Sequence, residues 1–403
     1  MSLGEVKKLL FPFRPVRVHV SDGQSYRIEH PEFFILFSLL THLTLGRAAC
    51  LSGLLLAGLL FPLSLPAWDY EGHRLINELA LAALPGNFPA FALTSGARER
   101  IAFLAGEADR WRNTSDLALK HCNGPDHYMD IDELPSYELE PASLPPFRYD
   151  LVAQLALARA AHPAQFAPID PAKDADHTRA LVGFLPWRMT EDYAKLKSAF
   201  SYLKALEQRG TAEEITNAQQ NVIYLMGLMG HFVGDATQPL HTTKHHHGWV
   251  GKNPFGYTTN YTFHAWIDGG YFQKAGFLSP ADLQSRLRPA QMLWPDDPKA
   301  HHDDIFPEVM RFIVEQSKQV EPLYQLEKEG KLSGESEASL SGRAFLADQL
   351  IRAGRMLGDL WYTAWQQAPI DTYLRTHLLK RKNGNSQVPF RSSVGIPKSN
   401  NEN

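Results

Sequence analysis

From Trp68 onward, apolar residues recur every three or four positions in segment after segment, a period that leaves room for little except packed helices. The pattern predicts helices over 72–84, 96–111, 190–206, 212–232, 306–325 and 341–367. Alternating β-branched runs are scarce, so the expected fold class is all-α, with a single mainly helical domain over 68–380. Pro, Gly and Asn collect at 122–148 and 241–262, which predicts irregular loops there. Residues 381–403 are polar and poor in large apolar side chains, and read as a disordered tail.

Across the 403 residues, 40 lysines and arginines face 44 acids, a formal charge of −4. Such a chain has no general basic surface for holding a polyanion, so any phosphate chemistry has to be local. The two cysteines, Cys50 and Cys122, exclude a disulfide framework and a cysteine-based zinc finger. Residues 51–67 follow Arg47, carry no charge and end before Trp68, like the apolar core and cleavage end of a secretory signal. With the apolar run 33–45 just upstream, the two stretches are 17 and 13 residues long, against the roughly 20 of a spanning helix. Residues 1–67 therefore read as an N-terminal extension plus signal peptide, and the mature chain as secreted or periplasmic. The alternative is an uncleaved segment that tethers the chain to a membrane. Residues 1–32 receive no function and fit a start assigned too early.

The chemistry lies in histidines and aspartates at ligand spacing. In the run HFVGDATQPLH, a helix beginning near Ala212 carries His231 and Asp235 at i and i+4 on one face, and Pro239 ends it so that His241 can turn back. His264 and Asp268 repeat the i, i+4 spacing. Asp109 stands among Ala108 and Trp111, where a carboxylate is costly to bury unless paired or metal-bound. His127, Asp130 and Asp132 follow in CNGPDHYMDID. Nitrogen and oxygen donors without a cysteine cluster point to hydrolytic rather than structural zinc; the other reading is a set of unrelated polar helix ends. His245, His246 and His247 read as a solvated loop, and 301–304 as the polar start of a helix.

Five segments together resemble the S1/P1 nucleases, which are related in fold to zinc-dependent phospholipase C. They are Trp68 with His73, Asp109 with Arg112, His127 to Asp130, His231 to His241, and His264 with Asp268. They stand in the family's order and span about 200 residues of this chain. Thr262-Phe263 stand where the family has Asn-Leu, and Trp266 is displaced by one position.

The resemblance implies three zinc ions in the cleft of a phospholipase C/P1 nuclease-type helical fold. Asp109, His127, His231 and Asp235 would hold the first ion, and His241, His264 and Asp268 the second. The third would be held by His73, a bridging Asp235 and the free amine and carbonyl of Trp68, which requires cleavage directly before that residue. Zinc acidifies water from pKa 15.7 toward about 7, so no protein nucleophile is needed. Catalytic roles fall to Asp109 and to Arg112, which would neutralise charge on the phosphate and departing oxygen. Tyr128 would stack on a base and Asp130 would bond its edge. The implied activity is hydrolysis of single-stranded RNA and DNA to 5′-phosphorylated products, with 3′-nucleotidase action and no stable protein partner. The alternative is a phospholipase C-like phosphodiesterase, against which Asp268 stands where that pattern carries glutamate.

Overall fold

The computed structural model describes residues 16–19, 25–28, 68, 70–293, 304–334, 337 and 339–383. The chain divides into two units, 1–64 and 65–403. In the first, β1 (Val16–His19) and β2 (Ser25–Ile28) pair antiparallel, with Val16 opposite Ile28 and His19 opposite Ser25. The sequence reading gave this stretch no structure, although Val16 and Val18 alternating with Arg17 and His19 carry the period-two signal of a strand. The apolar runs 33–45 and 51–67 lie outside the described residues. Among the described residues, no helix is long and apolar enough to cross a membrane.

The second unit is all-α. Its described α-helices of six residues or more are α1 (Tyr70–Ala83), α2 (Ser95–Leu104), α3 (Glu107–Arg112), α4 (Leu117–Asn123), α5 (Arg148–Ala161), α6 (Leu185–Arg209), α7 (Ala212–Thr237), α8 (Phe306–Ser317), α9 (Val320–Lys328), α10 (Ser339–Gln367) and α11 (Thr372–Asn383). The expected helix over 96–111 is broken at Ala105-Gly106. A Cβ at Gly106 would stand 2.7 Å from the Tyr70 ring, so the packing there requires glycine. The expected helix over 306–325 is likewise divided into α8 and α9. α11 runs three residues past the boundary at 380, and 384–403 lie outside the described residues. Asp304 accepts a bond from the Phe306 N–H (3.0 Å) at the start of α8, while 301–303 are not described.

α7 is the central helix and packs against α1, α2, α6 and α10. A capping box starts it: Thr211 Oγ1 accepts from the Glu214 N–H (3.2 Å), and the Glu214 carboxylate accepts from the Thr211 N–H (2.9 Å). Pro239, two residues after its end, prevents continuation. Two glycines allow α1 to come close. Asn77 of α1 donates to Ile101 O (2.8 Å) and Gly227 O (3.0 Å), and a Cβ at Gly230 would stand 1.6 Å from its Oδ1. A Cβ at Gly234 would meet His73 Nδ1 at 2.7 Å. Gly230→Ala sets a helix-propensity gain of about 1 kcal/mol against overpacking and two stretched buried hydrogen bonds, together about 3 kcal/mol. The expected net loss of about 2 kcal/mol is measurable by urea denaturation.

Candidate metal centre

The segments singled out above converge where α1, α3 and the C-terminal half of α7 meet the turn Gly124–His127 and the chain after Pro239. Eight side chains form three groups: His73, His231 and Asp235; Asp109, His127 and His231; and His241, His264 and Asp268. Within each group the donor atoms lie within 4.8 Å of one another. His73, His127, His231 and Asp235 are fully buried, and Asp109, His241 and Asp268 nearly so.

Asp235 is the hub. Its Oδ2 faces His127 Nδ1 (2.9 Å) and His231 Nε2 (3.3 Å), and its Oδ1 faces His73 Nε2 (3.6 Å) and His241 Nδ1 (3.7 Å). The His73 ring stacks on His231 at 4.0 Å, which the missing side chain of Gly234 permits. Asp109, on α3, sits 3.7 Å from His231 Nε2 and 4.0 Å from His127 Nδ1. Arg112, one turn on, pairs through Nη2 with Asp109 Oδ1 (2.8 Å). In the remaining group, His264 Nε2 lies 2.9 Å from His241 Nε2 and 3.2 Å from Asp268 Oδ2.

Trp68 is fully buried beside this assembly. Its indole N–H donates to Gly234 O (3.0 Å), its ring stands 6.3 Å from Phe272, and its backbone N–H donates to Asp268. Its φ of 38° lies in the left-handed region that side chains rarely adopt. Gly234 thus stands against both Trp68 and the His73 ring.

Several supports escape spacing rules. The break between α2 and α3 frees Ala105 O, which lies 2.7 Å from His231 Nδ1. His241 Nδ1 contacts His127 O at 2.5 Å. Asp268 sits in a π-helical turn, Trp266–Gly270, and accepts from Gln238 Nε2 (2.6 Å). Gln238 lies inside the run HFVGDATQPLH, but an amide flanked by ligands gives no ligand signal of its own. Trp266 instead donates to Leu332 O (2.9 Å). Beneath His127, Asp126 accepts from Arg148 Nη1 (2.7 Å) and Arg188 Nη1 (3.2 Å), and Arg188 Nε donates to Asp192 (2.9 Å), so a buried ion network fastens this turn to α6.

Tyr128 is partly covered, with Gly183 pressed on its backbone and ring edge, and burial pushes its phenol up. Asp130 has a buried Oδ1 without a hydrogen-bond partner. Burial first, then Asp132 and Glu133, pushes its carboxyl well above the usual range. His245 departs from the solvated reading. It is buried, stacks on Trp249 at 3.9 Å, contacts Asp132 (3.4 Å) and accepts from the Val250 N–H (3.1 Å). His247 is exposed against Tyr261 and its ring lies 5.6 Å from that of His264.

The donor set fits bound cations. In a tetrahedral zinc shell with Zn–N near 2.0–2.1 Å, donor atoms stand about 3.3 Å apart. The nitrogen pairs His127 Nδ1 with His231 Nε2 (3.1 Å) and His241 Nε2 with His264 Nε2 (2.9 Å) approach this spacing. Asp235 Oδ1, fully buried, has no hydrogen-bond partner. Neutral imidazoles are also what burial favours: it holds His127 and His264 well below the ordinary imidazole value and His241 below it. For His231, burial is outweighed by Asp235 and Asp109, and the value rises. The described residues thus form three buried His/Asp groups able to hold metal ions, two of which share His231, while Asp235 faces residues of all three. No family model and no curated protein matches the chain, so the centre is read from its own residues.

Proposed function

We propose that the chain is an exported zinc-dependent hydrolase of the phospholipase C/P1 nuclease type, acting on single-stranded RNA and DNA and on 3′-nucleotides and leaving 5′-phosphates. The observation that carries this reading is the sharing of one carboxylate, Asp235, among His73, His127, His231 and His241 in a buried site. Adjacent cations sharing a ligand suit phosphoryl displacement, in which attacking and leaving oxygens both need charge stabilisation.

When bound, zinc supplies Lewis acidity and a water acidified toward pKa about 7. The remaining work belongs to the chain. Asp109 would hold a cation together with His127 and His231, and its pairing with Arg112 keeps the guanidinium beside the centre. There it can bond the phosphate as charge builds on the departing 3′ oxygen. Tyr128 offers a ring to an unpaired base, and the unpartnered Asp130 oxygen accepts from the base edge. Both require the base to be out of a duplex.

Arg112→Ala is expected to lower kcat on single-stranded DNA about 10²–10³-fold while bound zinc, measured by elemental analysis, stays the same. Full activity in this variant removes Arg112 from the mechanism. The pH dependence has a definite sign. Zinc requires neutral imidazoles, and burial keeps His127, His241 and His264 neutral to lower pH than exposed histidines. His231, whose value Asp235 and Asp109 raise, protonates before them as pH falls, so zinc loss is expected to begin at the two groups that share it, which dialysis at stepped pH with zinc counting reads directly. Assay on single-stranded DNA, 3′-AMP and lecithin, with and without chelator, tests the function. Cleavage of lecithin alone would favour the phospholipase reading, and inactivity on all three would leave a metal-binding protein without turnover.

A further inference from the structure

Between Asp130 and Val182 the chain builds a second cavity, of about 410 Å³, outside the metal groups. Four cations and three acids line it. Two acids are engaged: Glu133 pairs with Lys244 (3.0 Å), and Asp170 with Lys173 (3.6 Å) and the Ala172 N–H (3.0 Å). The third is Asp130, with its unpartnered oxygen. Among the described residues no carboxylate pairs with the guanidinium of Arg159 or Arg179. Arg159 lies 4.6 Å over the Phe166 ring and donates to the Tyr137 hydroxyl (3.1 Å), which donates to Ala180 O (3.3 Å), next to Arg179. Arg179 is exposed and is steadied by Nε donating to Lys173 O (3.2 Å).

This cavity is fastened to the metal-ligand segments. Asp130 follows His127 by three residues, and Lys244 follows His241 by three. The Met129 N–H donates to His241 O (2.8 Å), the Lys244 N–H to Asp132 (3.0 Å) and the Asp130 N–H to Val182 O (2.8 Å). Three residues of chain span at most about 11 Å, the reach of an adjoining nucleotide. Planar guanidiniums match phosphate oxygens two at a time, and two that lack acid partners give a chain of net charge −4 the local cationic site a polyanion needs.

Building on the nuclease reading, we infer that Arg159 and Arg179 bind a phosphate of a single strand next to the phosphate held at the metal centre, so that the enzyme favours polymers over 3′-mononucleotides. The test is fluorescence anisotropy of a labelled single-stranded DNA on the full chain, in zinc and in chelator, across a salt series. Each lost phosphate contact lowers the slope of log affinity against log salt by about 0.7. Arg179→Ala is expected to lower it, Arg159→Ala/Arg179→Ala to lower it by about that full amount, and Arg179→Lys to restore it. In turnover, the KM penalty on the strand is expected to exceed that on 3′-AMP at least about tenfold. Because Arg179 is exposed, its single variants report even if the Arg159 variant misfolds. An unchanged slope in Arg179→Ala, or equal losses on both substrates, overturns the inference while strand cleavage by the parent chain preserves the nuclease reading. Strand binding with the stated slopes but no cleavage sinks the nuclease reading and keeps the site; absence of strand binding sinks both.

Discussion

Asp235→Asn is expected to reduce cleavage of single-stranded DNA by at least about 10³-fold and to lower bound zinc by more than one ion per chain. The magnitude follows from geometry. A single carboxylate faces four imidazoles, two on each oxygen, so its loss removes a donor from more than one cation at once, and each tenfold in rate corresponds to only 1.36 kcal/mol. Asparagine preserves volume in a fully buried position, which separates lost charge from a cavity. Elemental analysis and initial rates read the two effects. A variant retaining all its zinc and more than a tenth of its activity would show that Asp235 is not shared between cations.

The second large effect concerns Trp68. A chain beginning at Trp68 is expected to bind one zinc more, and to act at least about 10²-fold faster, than the chain that keeps its preceding residues. The indole is held by its bond to Gly234 O and by complete burial, and the backbone nitrogen of this residue stands beside Asp268. An amide nitrogen donates a proton but does not ligate, whereas an α-amine of pKa near 8 can yield its proton to a metal. Placing one glycine before Trp68 is the sharpest control, since it changes a single bond. Equal zinc content and equal rates in all three chains would exclude the terminus as a ligand.

Much of this centre was legible because two periodicities coincide. α7 shows a clear helical period, and within it His231 and Asp235 fall one turn apart with Pro239 beyond. The break at Gly106 was not legible, because the apolar period continues through it. α5 escaped for another reason: only Leu151 and Leu155 are buried along its 14 residues, too thin a stripe to register. α4 and α11 were missed as well, the first being only seven residues long and the second rich in charge. His245 looked like its neighbours in sequence, and only the flat contact with Trp249 sets it apart. Gln238 and the Ala105 carbonyl act through bonds to ligands rather than as ligands, and spacing carries no trace of them.

The carbonyls that meet His231 and His241 have a further consequence. A carbonyl oxygen only accepts, so each of these rings carries a hydrogen on Nδ1 and turns Nε2 inward. Their tautomers are preset by the backbone. His127 differs, since its Nδ1 lies against the Asp235 carboxylate and its Nε2 is buried without an acceptor. Among these three rings, zinc loading is thus expected to move the Nδ1 hydrogen of His127 alone, and in nitrogen-15 spectra the His127 ring should move on zinc addition while the Nδ1 signals of His231 and His241 keep their protonated character.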